Sequence, residues 1–532
     1  MKRKLPIGIQ DFVSIREDGF VYVDKTARIH DLVTGSGRYF FLARPRRFGK
    51  SLLCSTLGAL FEGRRELFGN IAGQPALAID SLEWDWKKYP VIRIDLNPGN
   101  YTLGLPVLNT HLNLAMEFCE KKYGIASCGN DDPAGRFRRL IAGITEKENE
   151  KAVVIIDEYD KPLLSTIDLP EKHREIRNAL KSFYGVLKSS DEYLRMGLLT
   201  GVTKFSQVSV FSDLNNIVDI SLSPRFYDLC GITQEELERD FNDEIEAILA
   251  KKALALDRQT YLEKVKRFYN GYRFSEKPET VYNPFGLLNH FYEGGKFNGY
   301  WFATGTPTFL ITLIEQQKID ILDLEKTTFN FAALQRANVD NMDALAVLYQ
   351  AGYLTITGYN EKYDEYSLDY PNEEVRSAFA AALLEGYIHA PKQNVNALEI
   401  KLPKALAGGN IAEAMNMLPP FFADIPYDIQ LKNEKYYQTI LHLIFRMVGL
   451  YCRSEVRIAA GRIDTLVEAG DYVYCFEFKL DGSADEALRQ IETKDYLLPW
   501  TGRGKKLFKI GVSFDSEKRN IGEWKAREIS NA

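Results

Sequence analysis

Two groups of residues, one near each end of this chain, have the types and spacing needed for phosphate chemistry. The first is Ala43-Arg-Pro-Arg-Arg-Phe-Gly-Lys-Ser-Leu52. Glycine before Lys-Ser lets the backbone approach phosphates, lysine reaches the outer phosphoryl oxygens, and the serine hydroxyl binds Mg2+. Leu53, Leu57, Leu60 and Phe61 recur at helical spacing, so a helix begins here with its positive N-terminus facing the anion. Arg46, Arg47, Phe48, Gly49, Lys50, Ser51 and Leu52 are therefore the candidate ATP-binding residues, with Ser51 also a metal ligand. The full GxxxxGK[ST] pattern lacks its first glycine, because Arg44 stands there. The partner segment is Ala152-Val-Val-Ile-Ile-Asp-Glu158, an apolar strand ending in two acids. Alone, such a pair is an ordinary solvated strand exit. After a Gly-Lys-Ser unit it reads as Asp157 holding Mg2+ and Glu158 polarising the attacking water.

The second group lies in Tyr472-Val-Tyr-Cys-Phe-Glu-Phe-Lys-Leu480. Strand alternation puts Glu477 and Lys479 on one face and Phe476, Phe478 and Leu480 on the other. Upstream, Gly461-Arg-Ile-Asp-Thr-Leu-Val467 is a second strand, joined through the turn Ala469-Gly-Asp471. Hairpin pairing then lets Asp464 and Glu477 converge as a hard-oxygen site suited to Mg2+ or Mn2+. A water acidified there, with Lys479 positioning it or offsetting charge, suits in-line attack on a phosphodiester. The next helix carries Glu486, Gln490 and Lys494 on one face and Ala484, Ala487, Leu488 and Ile491 on the other. Gln490 thus reaches toward the site, and Glu434, near the start of an earlier helix, is a further acid. Taken by itself, a Glu-x-Lys pair is more often an exposed strand face.

The elements that must position these groups follow from the apolar runs. Tyr39–Ala43, Pro90–Leu96, Ala152–Ile156, Arg195–Thr200 and Asn216–Leu222 lack polar alternation and are separated by helical patterns. Such runs are strands buried on both faces, which gives an α/β three-layer domain with a parallel sheet over residues 1–231. Thr233 with Glu236 is a helix-capping signal. Helical patterns dominate the middle region, 232–400, where a helix running into a hairpin near 346–370 suggests a winged-helix element. Residues 401–532 form a second α/β domain, with a helix near 430–450, strands, a helix at 484–497 and a final strand at Lys506–Ser513.

At 532 residues the chain is too long for one core, and about three domains are expected. The charged fraction of 26% and hydrophobic fraction of 45% are globular values. A net charge of -6 argues against coating nucleic acid through a bulk positive field. No apolar run is long enough to span a bilayer, and no secretory signal is seen. Six cysteines without a CxxC pair fit a reducing cytosol, so the expected location is cytoplasmic. The six histidines show no HxxxH or HxH spacing, so no zinc site is expected.

Several residues stay open between a functional and a packing reading. Arg44, Arg46 and Arg47 can neutralise phosphate, act in trans in an oligomer, or pack against acids. Thr200 and the Asn215-Asn216 pair are γ-phosphate sensors or turn residues. Tyr269-Asn-Gly-Tyr-Arg-Phe274 stacks bases or fills a core, and Arg503-Gly-Lys-Lys-Leu-Phe-Lys509 contacts a phosphate backbone or is a solvated loop.

Residues 5–310 resemble the AAA-ATPase-like family that is often joined to a C-terminal PD-(D/E)XK nuclease-like domain. The resemblance is carried by Leu5-Pro-Ile-Gly-Ile-Gln-Asp-Phe12, Tyr22-Val-Asp-Lys-Thr26, Arg44–Ser51, Thr200-Gly-Val-Thr-Lys-Phe-Ser206, Phe211-Ser-Asp-Leu-Asn-Asn216, Asn270-Gly-Tyr-Arg-Phe274 and Tyr282-Asn-Pro-Phe285. It implies an ASCE-type P-loop NTPase core, and the arginine in place of the first glycine belongs to that family's pattern. The spacing of Asp464, Glu477 and Lys479 resembles the PD-(D/E)XK fold over about residues 425–525. By that resemblance Asp464, Glu477 and Lys479 match the metal and catalytic positions, Glu434 the helical acid and Gln490 the polar residue of the following helix. Ile463 stands where the motif has proline. The expected function is an ATP-regulated, Mg2+-dependent nuclease cutting DNA or RNA. The alternative is an ATP-driven switch or scaffold whose C-terminal domain binds nucleic acid or protein without cutting.

Overall fold

The structure, a computed structural model, describes residues 3–126, 132–204, 216–251, 256–301, 308–317, 319–330, 343–386, 392–425, 433–458 and 461–529. They form two compact units: Met1–Trp301 with Thr328–Asn372, and Phe302–Thr327 with Glu373–Ala532. The middle stretch, expected as one helical region over 232–400, is divided between both. Its apolar faces serve different cores. Tyr261, Val265 and Tyr269 pack with Ile232 and Leu287 in the first unit, while the helix Glu373–Gly386 packs on the helix Glu434–Met447 in the second.

The first unit is built on strands β1 (Tyr39–Ala43), β2 (Val91–Asp95), β3 (Ala152–Asp157), β4 (Leu194–Gly201) and β5 (Ile217–Asp219). They form one sheet in the order β2-β3-β4-β1-β5, and every pair is parallel. All six residues of β3 are buried, as a strand covered on both faces requires. Helix α1 (Lys50–Phe61) starts directly after the loop that leaves β1, with Gly49 at φ 94 as its N-cap. Because β4 lies between β1 and β3, its penultimate residue Thr200 sits between the Gly-Lys-Ser loop and the acid pair.

Thr233 and Glu236 form the expected reciprocal capping box. Helix α2 (Ala344–Ala351) ends at Gly352 (φ 88) and leads into β7 (Thr355–Asn360) and β8 (Glu365–Asp369). Strand β6 (Thr328–Asn330) completes a three-stranded sheet in the order β6-β8-β7, so the helix-to-hairpin unit expected near 346–370 is present.

Within the cluster that includes Tyr261, His290 is fully buried. Its Nδ1 lies 3.0 Å from the Lys296 carbonyl, which can only accept, so Nε2 accepts from the Tyr261 hydroxyl at 2.8 Å. Burial lowers its pKa from 6.5 to about 4. Between those values the unfolded chain binds a proton that the folded chain does not, so stability falls as pH drops below 6.5. The slope is about 1.4 kcal/mol per pH unit. In His290→Gln, proton uptake on unfolding at pH 5, measured by calorimetry, is expected to fall by about one proton.

The second unit packs α3 (Glu434–Met447) and α4 (Ala484–Thr493) on a sheet of β9 (Tyr451–Ile458), β10 (Gly461–Ala469), β11 (Tyr472–Leu480), β12 (Lys506–Asp515) and β13 (Asn520–Ile529). The order is β13-β12-β11-β10-β9. It is mixed: β11 and β12 are parallel, with α4 as the crossover, and the other pairs are antiparallel. Ala484, Ala487, Leu488 and Ile491 are the buried face of α4, as its periodicity predicts. Strand β13 was not anticipated. It alternates charged residues with Trp524 and Ala526 at the sheet edge and lacks a buried apolar run.

Candidate functional site

The loop between β1 and α1 folds around its own cation. Lys50 is buried, and its Nζ donates to the Arg44 and Pro45 carbonyls at 3.1 and 3.2 Å. Glu158 lies 3.3 Å from the same ammonium. Glu158 has φ 53, a left-handed backbone that is costly for a residue with a Cβ. Asp157, at the end of β3, is buried and accepts from the Thr200 hydroxyl at 2.6 Å. Lys50, Asp157, Glu158 and Thr200 thus come together from three elements. Asn215 lies outside the described residues, and Asn216 is at a turn before β5.

The three loop arginines separate clearly. Arg44 is buried, donates to the Ser221 and Phe226 carbonyls at 2.7 and 3.1 Å, and stacks 4.1 Å from the Phe274 ring. Its guanidinium supports the loop from within. Arg46 and Arg47 are exposed, and Arg47 lies over the Phe285 ring at 4.3 Å. Phe48 is buried edge-on against Tyr272 and Phe274, so it offers an anion its backbone only. Trp301 Nε1 donates to the Arg46 carbonyl at 3.0 Å. Tyr269, Tyr272 and Phe274 are core residues, the last two packed against the loop, which settles the packing reading of that aromatic segment. Beside the loop, an apolar cavity of about 100 Å³ is lined by Tyr22, Val23, Gly49, Leu52, Leu229 and Ile232, among others.

Gly271 explains the glycine in that aromatic segment. It has φ 97, and a Cβ there would lie 1.8 Å from the Pro371 carbonyl oxygen. Gly271→Ala is expected to destabilise the first unit by about 3 kcal/mol, read as a lowered denaturant midpoint.

In the second unit the hairpin pairs Thr465 with Phe476, so the next step along brings Asp464 opposite Glu477. Asp464 Oδ2 accepts from the Phe478 backbone N–H at 2.9 Å. Glu477 is 1% exposed. Its Oε1 accepts from Gln490 Nε2 and lies 3.5 Å from Lys479 Nζ. Glu434, on the first turn of α3, accepts from the Leu480 backbone N–H at 3.2 Å. The structure therefore gathers all five residues named from the sequence. Burial first, then the Asp464 charge, raises Glu477 to about 8. Asp464 rises to about 6 through burial and the charge of Glu434.

The donor set fits a divalent cation that keeps several waters. Glu477 Oε2 is buried with no hydrogen-bond partner among the described residues, and a carboxylate oxygen left so is costly. A cation between Asp464 and Glu477 would satisfy it and reverse the repulsion that raises both pKa values. Among the described residues no three His, Cys, Asp or Glu side chains are gathered closely enough to enclose a metal unaided, so water would have to complete the shell of a cation held there.

The sequence matches the family described as Predicted AAA-ATPase over residues 6–211 and the PD-(D/E)XK nuclease superfamily over residues 432–524. A protein of Azotobacter chroococcum mcd 1, "Uncharacterized protein in vnfD 5'region", is 37% identical over 531 residues, with 98% of each chain covered. This chain belongs to the AAA-ATPase-like family, with a PD-(D/E)XK nuclease superfamily domain at its C-terminal end. A solved structure, "Structure of the Aeropyrum Pernix ORC2 protein (ADPNP-ADP complexes)", is 13% identical and covers 90% of this chain and 92% of that one. Its TM-score of 0.28 is too low to equate the folds.

The AAA-ATPase-like region contains the Gly-Lys-Ser loop and the acid pair, and the nuclease-superfamily region contains Glu434, Asp464, Glu477, Lys479 and Gln490. No helix of the described residues is long and apolar enough to cross a membrane. Sequence reasoning missed Asp160, which is buried and accepts from the Val202 and Thr203 N–H groups and the Thr203 hydroxyl, pinning the exit of β4. It also missed Gln438 and Glu455 beside Asp464. Gln438 was legible as the residue one helical turn after Glu434. Nothing local marked Glu455. In the basic stretch Arg503–Lys509, Lys505 pairs with Glu468 at 2.7 Å and Lys509 lies 3.9 Å from Glu492.

Proposed function

We propose that the protein binds ATP in the first unit and, in the second, is a Mg2+- or Mn2+-dependent nuclease that cuts DNA or RNA, with the nucleotide regulating cleavage. One observation carries the nuclease reading: a buried Glu477 oxygen with no hydrogen-bond partner among the described residues, on a strand position opposite Asp464 and with Lys479 alongside.

In the first unit, the backbone of Arg46–Ser51 and the ammonium of Lys50 receive the phosphates, with Lys50 exchanging two loop carbonyls and Glu158 for phosphoryl oxygens. Ser51 and Asp157 hold Mg2+, and Thr200 orients Asp157 through their hydrogen bond. Released from Lys50, Glu158 orients and deprotonates the attacking water. Leu52 and the apolar cavity beside Gly49 take the nucleobase. Arg46 and Arg47, exposed at the rim, offset phosphate charge or serve a neighbouring copy in an oligomer.

In the second unit, Asp464 and Glu477 hold the divalent cation. When bound, that ion supplies Lewis acidity toward water and the phosphoryl oxygen. Lys479 Nζ, held by the Phe478 carbonyl at 3.0 Å, orients the nucleophilic water and offsets charge on the phosphate. Gln490 fixes the Glu477 rotamer through Oε1. Glu434 holds the end of β11 and adds an acid to the rim.

The test is cleavage of single-stranded, double-stranded and structured DNA and RNA, with Mg2+ or Mn2+, with and without ATP. Cutting that chelator abolishes and ATP changes is expected. No cutting of any substrate would defeat the reading. It would favour a nucleotide switch whose C-terminal unit binds without cutting.

A further inference from the structure

Helix α3 presents Glu434, Gln438 and His442 to the sheet at intervals of four residues, so they form one polar seam along it. His442 Nδ1 lies 2.8 Å from the Ser454 hydroxyl, which is 3.0 Å from that of Thr465. Those three pin β9 and β10 to the helix. Gln438 is buried, and its Nε2 donates to the Asp464 carbonyl at 2.7 Å and to Glu455 Oε1 at 3.1 Å. An amide nitrogen has two protons, and both are used.

These bonds fall at a break in the strand pairing around Asp464. On one side, the β9–β10 pairing passes from Ile463↔Val456 to Thr465↔Ser454 without a pair at Asp464. Glu455, which would stand opposite, has φ 57. On the other side the β10–β11 ladder stops at Thr465↔Phe476, and the Phe478 N–H turns to the Asp464 carboxylate. Asp464 therefore sits at a fork in the residue pairing of β10 with its two neighbours. Gln438 donates to the Asp464 carbonyl at that gap. Through Glu455, which also pairs with Arg462 at 2.5 Å, it ties the neighbouring strand to the same point.

We propose that Gln438 is a positioning residue for the metal site of the second unit: it fixes the Asp464 backbone, and thereby aims the Asp464 carboxylate at the cation shared with Glu477. The inference rests on the metal-dependent reading above. Groups that hold a metal ligand in place without touching the metal commonly set its affinity.

The experiment is a Mn2+ titration of the full chain without nucleotide, comparing wild type, Gln438→Met, Gln438→Glu and Asp464→Asn. Both Gln438 variants keep the side chain's length and remove the two donors, so either suffices if the other does not fold. Mn2+ affinity is expected to fall about 10- to 100-fold in them and to vanish in Asp464→Asn. A role in packing alone would lower the melting temperature and leave the Mn2+ affinity of the folded chain within about twofold of wild type. That result, with Asp464→Asn still abolishing binding, would overturn the Gln438 assignment alone. Wild type that binds no Mn2+, or binds it equally well as Asp464→Asn, would overturn the metal-dependent reading and this assignment with it.

Discussion

Lys479→Ala is expected to lower metal-dependent phosphodiester cleavage by about 10²–10³-fold, the usual effect of removing one preorganised donor from a charged transition state. The Lys479 ammonium lies 3.5 Å from Glu477 Oε1 and is only partly exposed, so its charge acts where solvent screens little. The loss has a second signature. Lys479 holds the Glu477 pKa down against burial and the Asp464 charge. Without it Glu477 binds its proton more tightly, so the acid limb of the cleavage profile moves to higher pH. Restoring cleavage by raising pH or Mn2+ fits that account. ATP turnover, which the proposal assigns to the other unit, is expected to be unchanged. Cleavage by Lys479→Ala within about twofold of wild type would remove the residue from the mechanism.

Lys50→Ala is expected to abolish nucleotide-dependent stabilisation and to lower ATP turnover by at least about a hundredfold. Lys50 is 3% exposed and neutralised by Glu158 and two loop carbonyls. The ammonium already stands where phosphoryl oxygens would replace those partners. Ligand at about a hundred times its dissociation constant stabilises a folded protein by about 2.7 kcal/mol. A thermal scan with Mg-ATP should therefore shift wild type and leave Lys50→Ala where it melts without nucleotide. An equal shift in both would mean that the nucleotide does not use this loop. If ATP regulates cleavage, Lys50→Ala also loses the ATP response of the cleavage assay and keeps the basal rate.

Much of the scaffold was legible in local sequence because its signals are short-range. Unbroken apolar runs such as Ala152–Ile156 become strands buried on both faces wherever they lie in the chain. Strand alternation alone put Glu477 and Lys479 on one face, and the turn after Ala469 fixed the register that brings Asp464 opposite Glu477. The Gly-Lys-Ser loop before an apolar helix and the Thr233 capping box are likewise local.

Other features depend on residues far apart in sequence. Arg44 reads as a phosphate ligand by type, yet the Ser221 and Phe226 carbonyls and the Phe274 ring, each more than a hundred residues away, hold it inside the core. Trp301 reaches the Arg46 carbonyl across a similar gap. The middle stretch divides between two units because its apolar faces find different cores, and periodicity shows that a face is apolar but not what covers it.

For this protein, sequence by itself determined which side chains are candidates for the chemistry and which face of each strand or helix they occupy, since both follow from residue type and backbone period. Only the tertiary structure decided what surrounds them: the carbonyls and acid around Lys50, the unpartnered oxygen of Glu477, and the amide of Gln438 at the fork beside Asp464. Burial, charge and hydrogen bonding act through space, so these surroundings exist only once the distant segments have packed.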